Sequence, residues 1–255
     1  MLPSFKIVIP ARYASSRLPG KPLLNLNGKT MIEHVYQCAL KAAAEQVVIA
    51  TDDERIVKAA KTFSAEVCLT SADHQSGTDR LAEVCEKYQW SDDTIVVNLQ
   101  GDEPLTPAAI LQQVAQNLAS HPDAGMATLC TPIKQLDEVY DPNIVKVIAN
   151  HNNMAMYFSR ASIPFYRDTD GELSAAQIST YQRHLGIYAY RVSFLKSYHQ
   201  LAACDLENIE KLEQLRALYY GVSIHVEEAK SMPGPGIDTP EDVQKVSQLL
   251  EALYD

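Results

Sequence analysis

Short apolar runs alternate with segments of helical period through the first half of the chain. Residues 5–9, 47–50 and 94–99 are brief, apolar and rich in β-branched side chains, the pattern of strands buried on both faces, and residues 67–69 form a weaker run of the same kind. Between and after them, residues 31–44, 54–62 and 78–88 place apolar positions three and four apart, as a helix does when it buries one side. Thr106 followed by Pro107 predicts one more helix start, with threonine as cap and proline at the first helical position. Such βαβ alternation predicts a largely parallel sheet covered by helices.

After residue 124 the rhythm changes. Residues 145–149 and 154–158 read as strands joined by the turn-forming run Asn150-His151-Asn152-Asn153, a hairpin signal. Residues 168–182 read as a polar loop and 184–191 as a strand. Residues 208–220 read as one helix with Ile209, Leu212, Leu215, Leu218 and Tyr219 on a single face. A last strand at 223–228 leads through Pro233-Gly234-Pro235-Gly236 to a terminal helix opened by Thr239 and Pro240. No linker or repeat interrupts the chain. The predicted fold class is therefore α/β, a mixed, mostly parallel sheet flanked by helices, as one unit over residues 1–255. Within it, residues 1–131 form the main part, 132–222 a smaller α+β lobe, and 223–255 a return to the main sheet.

Composition narrows the function. The chain is 46% hydrophobic and 21% charged, as ordinary globular proteins are. Its formal charge of −10 disfavours a surface that gathers phosphates non-specifically, so no nucleic-acid partner is expected; a polyphosphate must be met by a few placed cations or by metal. Cys38, Cys68, Cys85, Cys130 and Cys204 are scattered without a CxxC pair, which reads as reduced thiols in a cytoplasmic protein. Pro10 and Arg12 interrupt the first apolar stretch, and no run approaches the eighteen or so apolar residues of a membrane span, so neither export nor a membrane partner is expected.

Four segments offer chemistry. The first is PARYASSRLPGK at residues 10–21, which follows the first strand at its carboxyl end, where open α/β sheets bind ligands. Pro22 after Lys21 and the missing first glycine exclude a Walker loop, yet Arg12, Arg17 and Lys21 are suited to neutralising a triphosphate. The same loop also reads as ordinary basic surface. The second is NLQGDEP at residues 98–104, where Gly101 admits a ligand to the backbone and Asp102 offers hard oxygen to a cation; alternatively it is a solvated acidic turn. Asp238 is the third, left free for a metal if Thr239 caps the helix, or itself the cap. Asp102 and Asp238 together would make a Mg²⁺ site completed by water and phosphate oxygens. The fourth, His74 to Arg80, offers side chains and backbone to a nucleobase at a helix entrance, or is only a well-capped helix.

The strings IPARYASSRLPGKPL, ATDDERI, DHQSGTDRLAE, VNLQGDEP, YFSRASIP, RHLGIYAYR, IEKLEQLR and GIDTPED occur in this order over almost the whole chain. Together they resemble the 3-deoxy-manno-octulosonate cytidylyltransferases. The resemblance implies a nucleotide-diphospho-sugar transferase-like fold, Mg²⁺, a homodimer, and transfer of CMP from CTP to an acidic eight-carbon sugar (Kdo) for lipopolysaccharide assembly. It implies that residues 1–131 mainly bind nucleotide and that 132–222 serve the sugar and dimerisation. Among the site residues, it implies that Ala11, Arg12, Arg17, Lys21, His74, Gln75, Ser76 and Arg80 meet the nucleotide and that Asp102 and Asp238 hold the metal. Gln100, Arg160, His184, Tyr188, Glu210 and Glu213 are implied to line the sugar pocket, while Arg12, Lys21, Asp102 and Asp238 carry the chemistry. Transfer to the related 8-amino sugar, a metal-dependent glycosyltransferase and a nucleotide-sensing module without turnover are the alternatives.

Overall fold

The computed structural model describes residues 2–14, 18–74, 76–169 and 172–252. The chain runs β1 (Lys6–Ala11), a 3-10 turn (Lys21–Leu23), the small hairpin β2 (Asn25–Leu26) and β3 (Lys29–Thr30), then α1 (Met31–Leu40), β4 (Gln46–Thr51), α2 (Glu54–Thr62), β5 (Glu66–Leu69) and α3 (Gly77–Lys87). It continues with β6 (Ile95–Asn98), α4 (Ala108–Ser120), β7 (Met126–Pro132), α5 (Leu136–Tyr140), β8 (Lys146–Ala149), β9 (Ala155–Ser159) and α6 (Ala175–Ile178). Then follow β10 (Gln182–Arg191), α7 (Val192–Tyr198), α8 (Asp205–Glu210), α9 (Gln214–Tyr219), β11 (Ile224–Glu228) and α10 (Pro240–Glu251).

The main sheet has the order β11-β7-β10-β6-β1-β4-β5, with the β8–β9 hairpin attached to β10. The pairs β4–β5, β1–β4, β1–β6 and β7–β11 are parallel, whereas β10 runs antiparallel to both β6 and β7. Both faces are covered, which is why these strands read as continuous apolar runs. Ile7, Ile9, Ile49 and Val97 pack with α1, α2 and α4 on one side. Val8, Val48 and Val96 pack with α3 and α7 on the other. Local signals start the helices where the sequence places them: the Asp53 side chain caps α2, and Ser76 and Thr239 form capping boxes with Asp79 and Asp242. Each such cap stabilises its helix by about 1 kcal/mol.

Several predicted elements shift. The helix expected over 208–220 breaks at Lys211, whose φ of 55° ends α8 in the left-handed region. Leu212 and Leu215 are buried as expected, but Ile209 and Tyr219 face solvent, because the break turns the two short helices out of one continuous face. Thr106 does not cap α4; Pro107 occupies the N-cap, and the Thr106 hydroxyl turns back toward Glu103. The loop predicted over 168–182 contains the short helix α6. The segment 132–222 is not wholly a separate lobe, since β10 lies inside the main sheet between β6 and β7.

Candidate active site

The carboxyl ends of β1 and β6 lie side by side and open into two adjoining clefts. The first, of about 380 Å³, is lined by Ala11, Arg12, Lys21, Gln100, Gly101, Asp102 and Asp238 among others. At Gly101 a Cβ would sit 2.7 Å from the Pro10 carbonyl oxygen, so only glycine lets the β6 loop close against the end of β1.

Lys21 is the centre of this cleft. Its Nζ donates to Asp102 Oδ2 at 2.6 Å, to the Ile237 carbonyl at 2.7 Å and to Asp238 Oδ1 at 3.2 Å. Asp102 and Asp238, predicted as a pair from two loops distant in sequence, thus converge on one point. The convergence is built by packing as well as charge. Ile237 is fully buried with Leu26, Met31, Val246 and Leu250, and its amide donates to the Asp102 carbonyl at 3.0 Å. Gly234 lies against Leu105, where a Cβ would approach to 2.5 Å, so the proline-glycine loop is strapped onto the segment following Asp102.

Arg12 reaches across the cleft, its Nη2 donating to the Ser76 carbonyl at 3.1 Å. The Ser76 hydroxyl itself is taken up by Asp79 in the capping box of α3, so it is the Ser76 backbone that faces Arg12. His74 is held by Glu83, which also accepts from Ser71 N and Lys87 at 2.8 Å. Burial works to raise the Glu83 pKa, but the bonds from Lys87, Ser71 and His74 outweigh it and bring the carboxyl down to about 2. Arg80 is fully buried, bonded to Thr70 and 3.4 Å from Asp52, and does not line either cleft. Burial pushes its pKa down while Asp52 opposes the shift. Arg17 and Gln75 lie outside the described residues.

The second cleft, of about 240 Å³, meets the first at Gly77 and Gln100. Its walls include His184, Tyr188 and Tyr190 from β10, Tyr198 of α7, and Glu213 and Gln214 at the start of α9. Among the described residues, Asn98 Oδ1, Tyr188 Oη, Tyr198 Oη and Gln214 Nε2 are buried without a hydrogen-bond partner of good geometry. Unpaired buried polar groups are costly, and a cluster of them around one cavity is suited to a ligand bearing many hydroxyls. The Thr128 hydroxyl lies 3.0 Å from His184 Nε2 and 2.9 and 2.8 Å from the carbonyl oxygens of Leu185 and Ile187. A neutral imidazole presents one N–H donor and one acceptor nitrogen, so His184 can meet either kind of polar group. Burial lowers its pKa to about 3, so the ring is neutral, while burial raises those of Tyr188 and Glu213.

Not every residue expected at the sugar pocket is brought there. Arg160 and Glu210 do not line the cavity: Glu210 accepts from Ser159 Oγ at 2.6 Å and Arg160 N at 2.9 Å, and the Arg160 side chain donates to the carbonyls of Glu210 and Pro142. Together they tie β9 to α8, which fixes the turn that delivers Glu213. Conversely, Tyr190, Tyr198 and Gln214 line this cavity without a sequence signal of their own, and Asn98 and Thr78, which belong to the segments read for a cation and for a nucleobase, line it as well. A polar residue ending an otherwise apolar strand, as Asn98 does, was the available signal.

The described residues contain no helix long and apolar enough to cross a membrane. The cytidylyltransferase family model matches residues 6–224. A 3-deoxy-manno-octulosonate cytidylyltransferase from Thioalkalivibrio sulfidiphilus is 55% identical over 98% of this chain and 100% of its own. A protein of the same name from Psychromonas ingrahamii is 54% identical over 97% and 99%. Among solved structures, a CMP:2-keto-3-deoxy-manno-octonic acid synthetase complexed with CTP superposes with a TM-score of 0.89 at 43% identity, covering 98% of this chain and 99% of that one.

Proposed function

The chain belongs to the 3-deoxy-manno-octulosonate cytidylyltransferases, and on that premise we propose that its first cleft binds CTP and its second binds the sugar acid. It is a nucleotidyltransferase that moves CMP from CTP to the anomeric hydroxyl of 3-deoxy-D-manno-octulosonate and releases pyrophosphate. The observation that carries the assignment of clefts is their junction at Gly77 and Gln100, which puts a cationic, carboxylate-bearing pocket against a polyol-lined one.

In the reaction, the sugar oxygen forms a bond to the α-phosphorus as the bond from that phosphorus to the leaving pyrophosphate breaks, and the hydroxyl proton passes to solvent. Arg12 and Lys21 are placed to take up the charge that grows on the leaving group. Asn98, Tyr188, Tyr198 and Gln214 hold the sugar hydroxyls, and neutral His184 adds a ring nitrogen to the same wall. Placement in line supplies much of the rate, as in other phosphoryl transfers. Asp102 and Asp238 offer hard oxygens within reach of a single nitrogen, a donor set that fits Mg²⁺ when phosphates and water complete it. When bound there, Mg²⁺ would neutralise phosphate charge and acidify the attacking hydroxyl.

The product serves lipopolysaccharide assembly in the cytoplasm, and the enzyme works as a homodimer. The dimer reading is supported by large apolar side chains exposed on the lobe, chiefly Phe165 at 85% and Ile209 at 77%. Phe165→Glu combined with Ile209→Glu is expected to shift sedimentation from dimer to monomer; an unchanged boundary shows that neither side chain is needed for the dimer. The activity is tested by supplying CTP, Mg²⁺ and Kdo and measuring pyrophosphate. Release that requires both CTP and the sugar is expected; a glycosyltransferase would release none. Comparing Kdo with its 8-amino analogue assigns the sugar.

A further inference from the structure

An ammonium group has three N–H donors, and all three of Lys21 are committed: to Asp102 Oδ2, to the Ile237 carbonyl and to Asp238 Oδ1. Its side chain is only 13% exposed, against 34% and 53% for the two carboxylates, so the charge is held inside a cage of oxygens. These are the oxygens that a divalent cation would use. Mg²⁺ bonds oxygen at about 2.0–2.1 Å and tolerates little departure from octahedral geometry. A lysine nitrogen at 2.6 Å from one of those oxygens and 3.2 Å from the other lies in the same small volume, and two cations cannot share it.

We infer that Lys21 is an internal placeholder cation, which keeps Asp102 and Asp238 paired and blocks divalent metal until a triphosphate draws the ammonium away. This rests on the reading of Asp102 and Asp238 as the metal carboxylates. Two carboxylates brought this close repel one another unless a cation lies between them. Lys21 supplies that cation from within the chain. The triphosphate is the only partner of the site with enough negative charge to compete for the ammonium, and it arrives in the same cleft, beside Arg12. Metal and nucleotide therefore bind with strong positive coupling, and metal alone binds poorly. The benefit is order: the site does not close around a bare divalent ion.

The test uses Mn²⁺ as probe, followed by electron paramagnetic resonance and by thermal unfolding of the full chain. Without nucleotide, Lys21→Met is expected to bind Mn²⁺ at least tenfold more tightly than the unsubstituted protein, and Mn²⁺ alone is expected to raise its unfolding temperature. Lys21→Arg, which keeps the charge, should stay weak, and adding Asp102→Asn to Lys21→Met should abolish the gain. Equal or weaker Mn²⁺ binding by a folded Lys21→Met overturns the inference. Should Lys21→Met not fold, Lys21→Gln takes its place under the same criteria, and tight Mn²⁺ binding by the unsubstituted protein without nucleotide overturns the inference in any case. Failure of the metal assignment itself looks different, because Asp102→Asn would then leave Mn²⁺ binding in the presence of CTP unchanged.

Discussion

The guanidinium carbon of Arg55 lies 3.2 Å from the centroid of the Tyr13 ring. Asp53 fixes the guanidinium from behind with bonds of 2.9 and 2.6 Å, and the other flank of Tyr13 meets Gly20, whose amide donates to the Tyr13 carbonyl at 3.0 Å. A Cβ at Gly20 would stand 3.2 Å from that ring, and its φ of 71° also favours glycine. The stack thus closes the loop that carries Arg12 at one end and Lys21 at the other. An exposed cation–π contact contributes about 0.5–1 kcal/mol. Arg55→Ala is expected to raise the KM for CTP by roughly two- to fivefold while leaving the KM for the sugar unchanged. Steady-state kinetics with each substrate varied will show whether the loss is confined to the nucleotide.

Asp102→Asn and Asp238→Asn should each collapse turnover while barely altering the unfolding temperature of the metal-free protein. Both carboxylates are partly exposed, and replacing either leaves the Lys21 ammonium bonded to the Ile237 carbonyl and to the other carboxylate. Pyrophosphate release and thermal denaturation of the same samples provide the check, and turnover that survives in either variant removes that residue from the metal site.

Gly101→Ala should act through geometry alone. The added methyl would press on a backbone carbonyl rather than on a flexible side chain, so the end of β1 and the Asp102 loop must part. Turnover is expected to fall by at least roughly tenfold, given how steeply rate depends on placement. Full activity would show that the two loops tolerate separation.

Buried neutral histidines make stability depend on pH. The His184 pKa is lowered to about 3 and that of His225 to about 4, in each case chiefly by burial, with stacked His121 adding to the effect at His225. Their unfolded forms take up protons near pH 6.5 while the folded forms resist. Their contribution to stability is therefore present above about pH 6.5 and is lost as the pH falls toward 4 and 3. Urea unfolding at a series of pH values should show this decline, and His225→Phe should flatten it. A slope unaffected by that substitution would assign the decline to other groups.

Most strands and helices were legible because burial on both faces, capping residues and prolines leave marks in the local sequence. Residues 54–62 are α2 without correction, and Thr239 with Pro240 opens α10 as predicted. What escaped depends on contacts between distant segments. No pattern marks Lys211 as left-handed, because the apolar positions on either side of it continue the helical period. Nor does β10 announce that it will lie inside the main sheet, since its partners are chosen by the strands already there. Arg160 and Glu210 are of the right types to bind a sugar acid, and their pairing with Ser159 and the neighbouring backbone emerges only in three dimensions. The convergence of Asp102 and Asp238 was anticipated. The lysine between them carries no sequence mark of that pairing, because Lys21 lies 81 and 217 positions from its two partners.

Lys21 and Asp238 meet although they stand 217 positions apart. During synthesis the loop bearing Arg12 and Lys21 emerges early, the Asp102 turn follows, and the second carboxylate becomes available only after every strand of the sheet has been made. The cleft that Lys21, Asp102 and Asp238 line together is therefore completed only when the last part of the chain is in place. Contacts of such long range are slow to form, so recovery of activity after denaturation should trail recovery of the sheet.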